Sequence, residues 1–395
     1  MKVNKLLFLS IIFAACLSSI GADIYTPSLP AVAHNLNTTF SLAKWTMAIY
    51  MISIALSQLV YGPLSEGTGR KLPLIIGICI MIVGSIICVL AQTIDILLFG
   101  RFIQGCGAGA CAALWRPVFR DMFSGDQLAK VGSYFGIFLI FIISAAPVIG
   151  GYLDHYAGWR SNFIFLAVYS FIALIFLVSC FKETSQHHHL KHLKLSYIVN
   201  NYKELLTHRL FVGLTLCSFL AYGGLFSWVT TGSILLIHGA GMTAISYGWT
   251  LTVGGGTAYL LSMQLNGRYV ERFGVTNMLR FGISIMLAAG ILMLSLSYML
   301  GLNTWSVIIP ALLFTFGVSF IFPNVFAKAF TPFGHNAGYA GALYGGIQVA
   351  GAGVLGGIVS HIPDHTATPL AVIFIITAIL VFISYELANR KMHKR

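Results

Sequence analysis

Gly62-Pro63-Leu64-Ser65-Glu66-Gly67-Thr68-Gly69-Arg70-Lys71 is a charged turn that separates two long apolar runs. The chain around it has 395 residues, of which 57% are hydrophobic and 9% are charged, and its mean hydropathy is +0.86. A helix needs ~20 consecutive apolar residues to cross a bilayer core, and both runs have that length. The composition therefore predicts that lipid surrounds most of this chain.

Twelve runs of this length follow one another along the sequence. A spanning segment must satisfy its backbone hydrogen bonds internally, so each span is a helix or part of a closed barrel. Continuous apolar runs, without alternation, exclude the barrel. The predicted spans are 6–28, 43–63, 73–91, 96–118, 132–153, 161–181, 211–236, 245–265, 277–299, 304–326, 336–359 and 367–388.

The net charge of +12 would suggest a nucleic-acid partner in a soluble protein. Here most lysines and arginines lie in segments on one side of the predicted spans, which indicates that side as the cytoplasm and places both termini there. The first apolar run resembles a signal peptide, but it extends to Ala22, and we expect it to be retained as span 1.

The charged turn has a repeat. Gly267, Glu271 and Gly274 reproduce the spacing of the first turn at an offset of 205 residues, and Gly353–Gly357 matches Pro147–Gly151 at an offset of 206. Two motifs with nearly one offset predict a duplicated six-helix unit with a binding site between the halves. We expect an N-terminal bundle at 1–181, a polar cytoplasmic linker at 182–209 and a C-terminal bundle at 210–395.

The stretch Gly62–Lys71 resembles the loop 2–3 signature of the major facilitator superfamily, although Glu66 stands in place of the usual Asp and Gly67 in place of a basic residue. The resemblance implies that the loop, with its repeat, latches the outward-open state. The residues assigned to this latch are Gly62, Glu66, Gly69, Arg70, Lys71, Gly267, Glu271 and Gly274.

Two further motifs resemble signatures of the same family. Arg101–Gly109 is similar to its arginine-containing helix 4 signature, which is associated with proton coupling. The stretch Ser144–Gly151 resembles its antiporter signature, in which Pro147, Gly150 and Gly151 bend the helix and permit close crossing. The match is partial, so an ordinary kinked packing helix is the alternative.

Asp23–Pro30, together with Gln58, Arg120-Asp121 and Gly158-Trp159-Arg160, resembles the bicyclomycin-resistance (Bcr/CflA) subfamily of drug–proton antiporters. The resemblance covers essentially the whole chain, and its specific motifs lie in the N-terminal half. It implies a bacterial inner-membrane protein that needs no cofactor and uses protons as its coupling ion.

Asp23 and Arg101 are the candidate proton-coupling pair. Each lies five residues from the outer end of its span, ~7–8 Å below the surface, so an ion pair or a shared water network is permitted. Burial favours the protonated form of a carboxylate, and a neighbouring cation favours its ionised form. A proton carrier needs both forms to be accessible. A fixed structural pair is the alternative. The repeat positions are Val229 and Val307, which places any coupling in the N-terminal half.

Arg116 lies inside span 4, where two interpretations remain open. Its side chain extends to the cytoplasmic interface, or it faces the cavity and attracts anionic groups on the substrate. On the family pattern, spans 1, 4, 7 and 10 line that cavity. The other predicted substrate contacts are Tyr25, Trp115, Tyr222, Phe226, Trp228, Phe322 and Asn324, and their aromatic rings suit bulky apolar or cationic compounds.

No phosphate-cradling loop, catalytic triad or metal-ligand pattern is visible, so the sequence argues against an enzyme. We predict an all-α membrane protein with two pseudo-symmetric six-helix bundles that exports small amphipathic compounds or drugs in exchange for protons. Its partners would be a small-molecule substrate and the bilayer, without nucleic acid, and we expect a monomer. A dedicated transporter of one metabolite or siderophore-like compound is one alternative, and a membrane-embedded enzyme or sensor is another.

Overall fold

A computed structural model of the chain describes residues 5–123, 141–142, 144–185, 195–330, 332–333, 337–362 and 366–389. Regular structure in these ranges is helical and includes no strand, which confirms the all-α prediction. The first part of predicted span 5, a section of the linker and both extreme termini lie outside the described residues.

The helices are numbered in chain order. They are α1 (Lys5–Asp23), α2 (Leu29–Asn35), α3 (Phe40–Thr68), α4 (Lys71–Leu90), α5 (Ile94–Met122), α6 (144–157), α7 (Arg160–Cys180), α8 (Leu195–Thr207), α9 (Arg209–Ser233), α10 (Ala244–Trp249), α11 (Gly256–Leu300), α12 (Thr304–Phe330), α13 (Ala337–Ser360) and α14 (Thr368–Asn389). A 3₁₀ turn joins α1 to α2, and π-helical turns follow α9 and α10.

Ten stretches in the described part of the chain are long and apolar enough to cross a membrane. Twelve were predicted, and two features account for the difference. The stretch Ala244–Leu300 contains both span 8 and span 9, because two helices follow each other directly at the kinked, non-helical residue Gly274. Span 5 is described only in its second part, where α6 lies.

Small residues bring α3 and α13 into contact along most of their length. A Cβ added to Gly62 would lie 2.8 Å from that of Ala342, and one added to Gly357 would lie 3.0 Å from the ring of Trp45. Near the same end as Trp45, the buried Lys44 Nζ donates a hydrogen bond to the Val359 carbonyl of α13 at 2.9 Å. The helix pair therefore joins the N-terminal and C-terminal helices.

The linker contains the amphipathic helix α8, which touches both groups of helices. The Tyr202 hydroxyl donates a hydrogen bond of 3.0 Å to the Leu59 carbonyl of α3. That carbonyl lacks its usual helical donor, because the residue four positions later is Pro63, which has no N–H. The Tyr202 ring also lies 5.8 Å from the ring of Tyr339 on α13. The linker helix is thus held against α3 and α13 together.

The two repeated turns share one backbone conformation. Gly69 has φ 90° and ψ 172°, and Gly274 has φ 77° and ψ 156°. This region of backbone space is accessible essentially only to glycine. The two glycines end α3 and kink α11 at equivalent points of the repeat. We call the end of the molecule that holds these turns and α8 the loop side, and the end that holds α2 and α10 the far side.

A charge network surrounds the first turn. The buried Arg70 guanidinium lies 2.9 Å from Glu66 Oε1 and 2.9 Å from Asp121 Oδ2, and it donates a further hydrogen bond to Ser65 Oγ at 2.7 Å. Burial acts to lower the pKa of Arg70, but the carboxylates of Glu66 and Asp121 raise it overall. The Lys71 side chain pairs with no acid among the described residues and donates to the Val178 carbonyl instead. Arg70 therefore ties the end of α3 to the end of α5.

Glu183 caps the N-terminus of α4 from the start of the linker. Its carboxylate accepts hydrogen bonds from the backbone N–H groups of Arg70 at 2.9 Å and Lys71 at 3.0 Å. Partial burial is the largest single influence and acts to raise its pKa. The N–H donors of Arg70, Ser185, Lys71 and Thr184 together lower the pKa below its usual value of 4.5. A negative charge at a helix N-terminus is also favoured by the helix dipole.

The second turn lacks this network. Glu271 is exposed, and in the described part of the chain it forms no ion pair. Around that turn, Lys328 donates hydrogen bonds to the hydroxyl groups of Thr276 at 3.1 Å and Tyr385 at 3.0 Å. In the described residues the backbone of the turn is repeated, and the charge network around Arg70 is not. The role of Gly267, Glu271 and Gly274 in a latch stays a prediction.

We expect Gly69→Ala and Gly274→Ala each to lower the thermal unfolding temperature of the purified protein. An alanine Cβ is strained at these backbone angles by ~1–3 kcal/mol. Gly267→Ala is the matched control, because Gly267 is helical and a Cβ there meets no heavy atom within 4 Å. A similar decrease in all three variants would contradict this explanation.

Glu183→Gln should lower the unfolding temperature more at pH 7 than at about pH 3. The folded-state pKa of Glu183 is below its usual value, so its stabilising contribution is present above that value and is lost as the pH falls through the folded-state pKa. Differential scanning fluorimetry at both pH values measures the difference. Glu271→Gln, at an exposed acid, should change neither temperature, and a pH-independent effect of Glu183→Gln would exclude the carboxylate as its cause.

Candidate functional site

A cavity of about 480 Å³ lies between the N-terminal and C-terminal helices. Its wall is contributed by α1, α3, α5 and α6 on one side and by α9, α11, α12 and α13 on the other. Four of these helices, α1, α5, α9 and α12, correspond to predicted spans 1, 4, 7 and 10. Those spans were expected to line the cavity. The cavity is therefore enclosed by matching elements of the two halves.

Six of the eight predicted substrate contacts lie on the cavity wall. They are Trp115, Arg116, Tyr222, Phe226, Trp228 and Phe322. The rings of Tyr222 and Phe322 lie 6.0 Å apart and nearly perpendicular, so they form one aromatic surface across α9 and α12. Large apolar rings of this kind offer contact area to bulky amphipathic molecules.

Tyr25 and Asn324 do not line the cavity, which corrects their predicted placement. Tyr25 is fully buried behind α1, where its hydroxyl accepts a hydrogen bond from Thr46 and its ring lies 5.0 Å from that of Phe163. Asn324 donates to the side-chain oxygen of Asn266 at 2.6 Å and joins α12 to α11. Both side chains serve contacts between helices.

Several polar wall residues were missed by the sequence reasoning. Tyr259 and Gln348 face the cavity from α11 and α13, and Ser18 and Ser19 face it from α1. A polar side chain inside a predicted span was the available signal, because such groups are expensive in contact with lipid. Ser19 also lies one helical turn before Asp23, on the same face of α1.

Asp23 ends α1 and its side chain lies on the cavity wall. Within the ranges that the structure describes, it forms no ion pair and no side-chain hydrogen bond. It is the sole acid on that wall, as far as the described residues extend. The carboxyl group is therefore available to the contents of the cavity.

Arg101 is fully buried and is held by groups other than Asp23. Its guanidinium donates hydrogen bonds to the Gly21 carbonyl at 3.0 Å and to Gln104 Oε1 at 2.6 Å. Its central carbon lies 3.9 Å from the centre of the Tyr50 ring. Since Gly21 is two residues from Asp23, the predicted equality of depth agrees with this geometry. A direct ion pair between the two, which the sequence permitted, is not present.

Arg116 faces the cavity, which decides between the two interpretations of its position. Its guanidinium carbon lies 4.3 Å from the Trp115 ring on its own helix and 5.7 Å from the Phe326 ring on α12. No carboxylate of the described residues pairs with it. The cavity thus carries one acid and one guanidinium on its wall.

The antiporter-like motif lies where the two halves meet on the far side. A Cβ at Gly151 would lie 2.7 Å from the carbonyl oxygen of Ala244, and one at Gly248 would lie 2.6 Å from that of Pro147. Gly150 packs on α1 instead, where a Cβ would overlap the Ile24 carbonyl oxygen. Small residues at these crossings allow α6 to close against α10.

Comparison with known proteins identifies relatives over the whole chain. The Bicyclomycin resistance protein homolog of Haemophilus influenzae is 27% identical and covers 100% of both chains. Multidrug resistance protein D of Escherichia coli is 26% identical over 100% of this chain and 98% of its own. The Chloramphenicol resistance protein of Pseudomonas aeruginosa is 27% identical over 95% of this chain and 88% of its own.

Residues 11–357 match the family model of the Major Facilitator Superfamily. This match and the names of the relatives confirm the resemblance to the bicyclomycin-resistance subfamily. They also agree with the apolar helices and the cavity between two halves. The chain therefore belongs to the Major Facilitator Superfamily, as a multi-pass membrane transport protein and not an enzyme.

Proposed function

We propose that this transporter exports small amphipathic compounds in exchange for protons, by alternating access of the cavity to the two sides of the membrane. Three relatives carry names that refer to bicyclomycin, multidrug or chloramphenicol resistance. A cavity lined by Trp115, Tyr222, Phe226, Trp228 and Phe322 suits molecules with an apolar or aromatic body. Both findings support a transporter of drug-like compounds.

The observation that carries the proton-coupling proposal is the position of Asp23. An ionisable group inside a membrane span is costly, and such groups characteristically mark proton or substrate pathways. Asp23 lies on the cavity wall without a salt-bridge partner among the described residues. A carboxyl group in this position can bind a proton when the cavity opens to one side and release it when the cavity opens to the other.

The orientation of the protein in the membrane is inferred from the charge distribution. Lysines and arginines are concentrated around the loop side, so we assign that side to the cytoplasm of a bacterial inner membrane, with both termini there. The contacts of α6 with α10 then close the periplasmic side. Opening these contacts would expose Asp23 to external protons, and its protonation would favour the return to the cytoplasm-facing state.

The glycine-rich crossings support such a movement. Pro147, Gly151 and Gly248 meet through close backbone contacts, so α6 and α10 can separate without breaking an ion pair among the described residues. The contacts of α3 with α13 extend along the molecule and include the Lys44 hydrogen bond to α13. We infer that these two helices supply the hinge region about which the halves rock.

Asp23→Asn should abolish substrate-driven proton movement while leaving the protein folded. The amide retains the size of the carboxyl group but cannot exchange a proton in this pH range. Proteoliposomes with an internal pH-sensitive dye measure proton flux when a panel of amphipathic compounds is added. Asp95→Asn, at an exposed acid in the first turn of α5, is the matched control and should behave as the unmodified protein.

Two results would contradict the proposal. Undiminished proton flux in Asp23→Asn would show that another group carries the coupling. Uptake of compounds into right-side-out vesicles, instead of accumulation in inverted vesicles, would favour import of a metabolite over export. Thermal unfolding of each variant shows whether a lost flux reflects misfolding.

A further inference from the structure

Arg116 carries a positive charge in the cavity wall for which the proton-coupling scheme has no use. A guanidinium is charged at every accessible pH. It therefore requires acceptors or water wherever it lies inside a membrane span. Arg101, on the same helix, meets this requirement with two carbonyl oxygens and Gln104. For Arg116, the described residues provide aromatic rings and no hydrogen-bond acceptor.

We propose that Arg116 binds an anionic group of the transported molecule, so that amphipathic anions and zwitterions belong to the substrate class. This inference rests on the proposed transport function. A carboxylate or phenolate that enters the cavity would accept the guanidinium hydrogen bonds that the protein leaves unused. The Trp115 ring beside Arg116, which also lines the cavity, would contact the apolar body of the same molecule. A guanidinium beside an aromatic ring is complementary to an amphipathic molecule that carries an acidic group.

The position of Arg116 separates this site from Asp23. Arg116 is fifteen residues beyond Arg101 on α5, a distance of ~22 Å along the helix axis. The Arg101 guanidinium bonds the Gly21 carbonyl, close to the level of Asp23. The guanidinium of Arg116 therefore lies towards the loop side and the carboxyl group of Asp23 towards the far side. An anion held at Arg116 is too distant to repel the Asp23 carboxylate strongly. A proton on Asp23 is therefore compatible with a ligand bound to Arg116.

The described side chains that the other half contributes to this cavity are neutral. Tyr259 of α11 and Gln348 of α13 line the same cavity, and Tyr344 forms a hydrogen bond with Ser218 at 2.5 Å. Hydroxyl and amide groups can donate to an anion as well as accept from a cation. An acid at any of these positions would have neutralised the guanidinium. The described wall near Arg116 is therefore complementary to a negative charge.

A purely structural role is the competing explanation. In that case Arg116 holds the Trp115 and Phe326 rings together by cation–π contacts, and its loss weakens binding of every ligand equally. The anion-binding role predicts a loss that depends on the charge of the ligand. Matched ligands of one shape and different charge therefore separate the two explanations.

The test uses the purified full chain in neutral detergent and isothermal titration calorimetry with 1-naphthaleneacetate and its uncharged analogue 1-naphthaleneacetamide. We expect the unmodified protein to bind the acetate more tightly than the amide. Arg116→Gln should weaken acetate binding roughly tenfold or more, since charge-assisted hydrogen bonds are about twice as strong as neutral ones, and leave amide binding within about twofold. Arg116→Lys should restore part of the difference.

Arg120→Gln is the matched control, because Arg120 lies one turn further along α5 and is exposed. It should leave both affinities unchanged. Equal weakening of both ligands by Arg116→Gln, or no preference for the acetate in the unmodified protein, would overturn the proposal. Retained amide binding shows that the variant is folded.

An anionic lipid headgroup could offer the same chemistry, so the titration is repeated in lipid nanodiscs with and without phosphatidylglycerol. Acetate binding that persists in both supports a substrate site. Binding that disappears with phosphatidylglycerol would assign Arg116 to a headgroup and contradict the proposal. Neither measurement depends on proton flux, so failure of the Asp23 experiment and failure of this one are distinguishable.

Discussion

A charged side chain inside a lipid-embedded helix costs ~2.5–3.5 kcal/mol or more, and the arrangement of the N-terminal helices follows from how such charges are accommodated. Arg101 is satisfied by backbone carbonyls of Gly21 and Thr46, so α1, α3 and α5 are fixed around one guanidinium. Asp23 and Arg116 are directed into the space between the halves instead. The charge of Arg101 is therefore stabilised by protein groups in the packed core. The charges of Asp23 and Arg116 are placed on the cavity wall instead.

The internal repeat preserves backbone geometry more faithfully than chemistry. Gly69 and Gly274 adopt one unusual conformation in the two halves. The ion pairs of Arg70 have no equivalent around Gly274 in the described residues, where hydroxyl groups surround Lys328. Both copies of a duplicated helix unit need the same turns to fold. A charged cluster in one copy is enough to make the two halves chemically different. The asymmetry of charge is thus compatible with a symmetric frame.

Much of this architecture could be predicted from sequence, because helix length, turn glycines and the depth of a residue along a span depend on local rules. Rotation about a helix axis was harder to predict. Asn324 lies two residues from the cavity residue Phe322 on α12, and two helical residues are about 200° apart around the axis. Tyr25 follows the end of α1, where the chain leaves the helix. Apolar residues surround these buried helices on all sides, so no amphipathic stripe indicates which face meets the cavity. The carbonyl partners of Arg101 could not be predicted either, because every residue has a backbone carbonyl and the sequence does not indicate which one accepts a hydrogen bond.

The proline of α3 has a consequence for the linker helix. Pro63 frees the Leu59 carbonyl, and the Tyr202 phenol occupies it while its ring lies against Tyr339 of α13. Any rocking of α3 relative to α13 must stretch one of these two contacts. The segment that joins the halves would then contribute to the activation barrier of the conformational cycle, and turnover speed could be tuned there without altering what the cavity recognises.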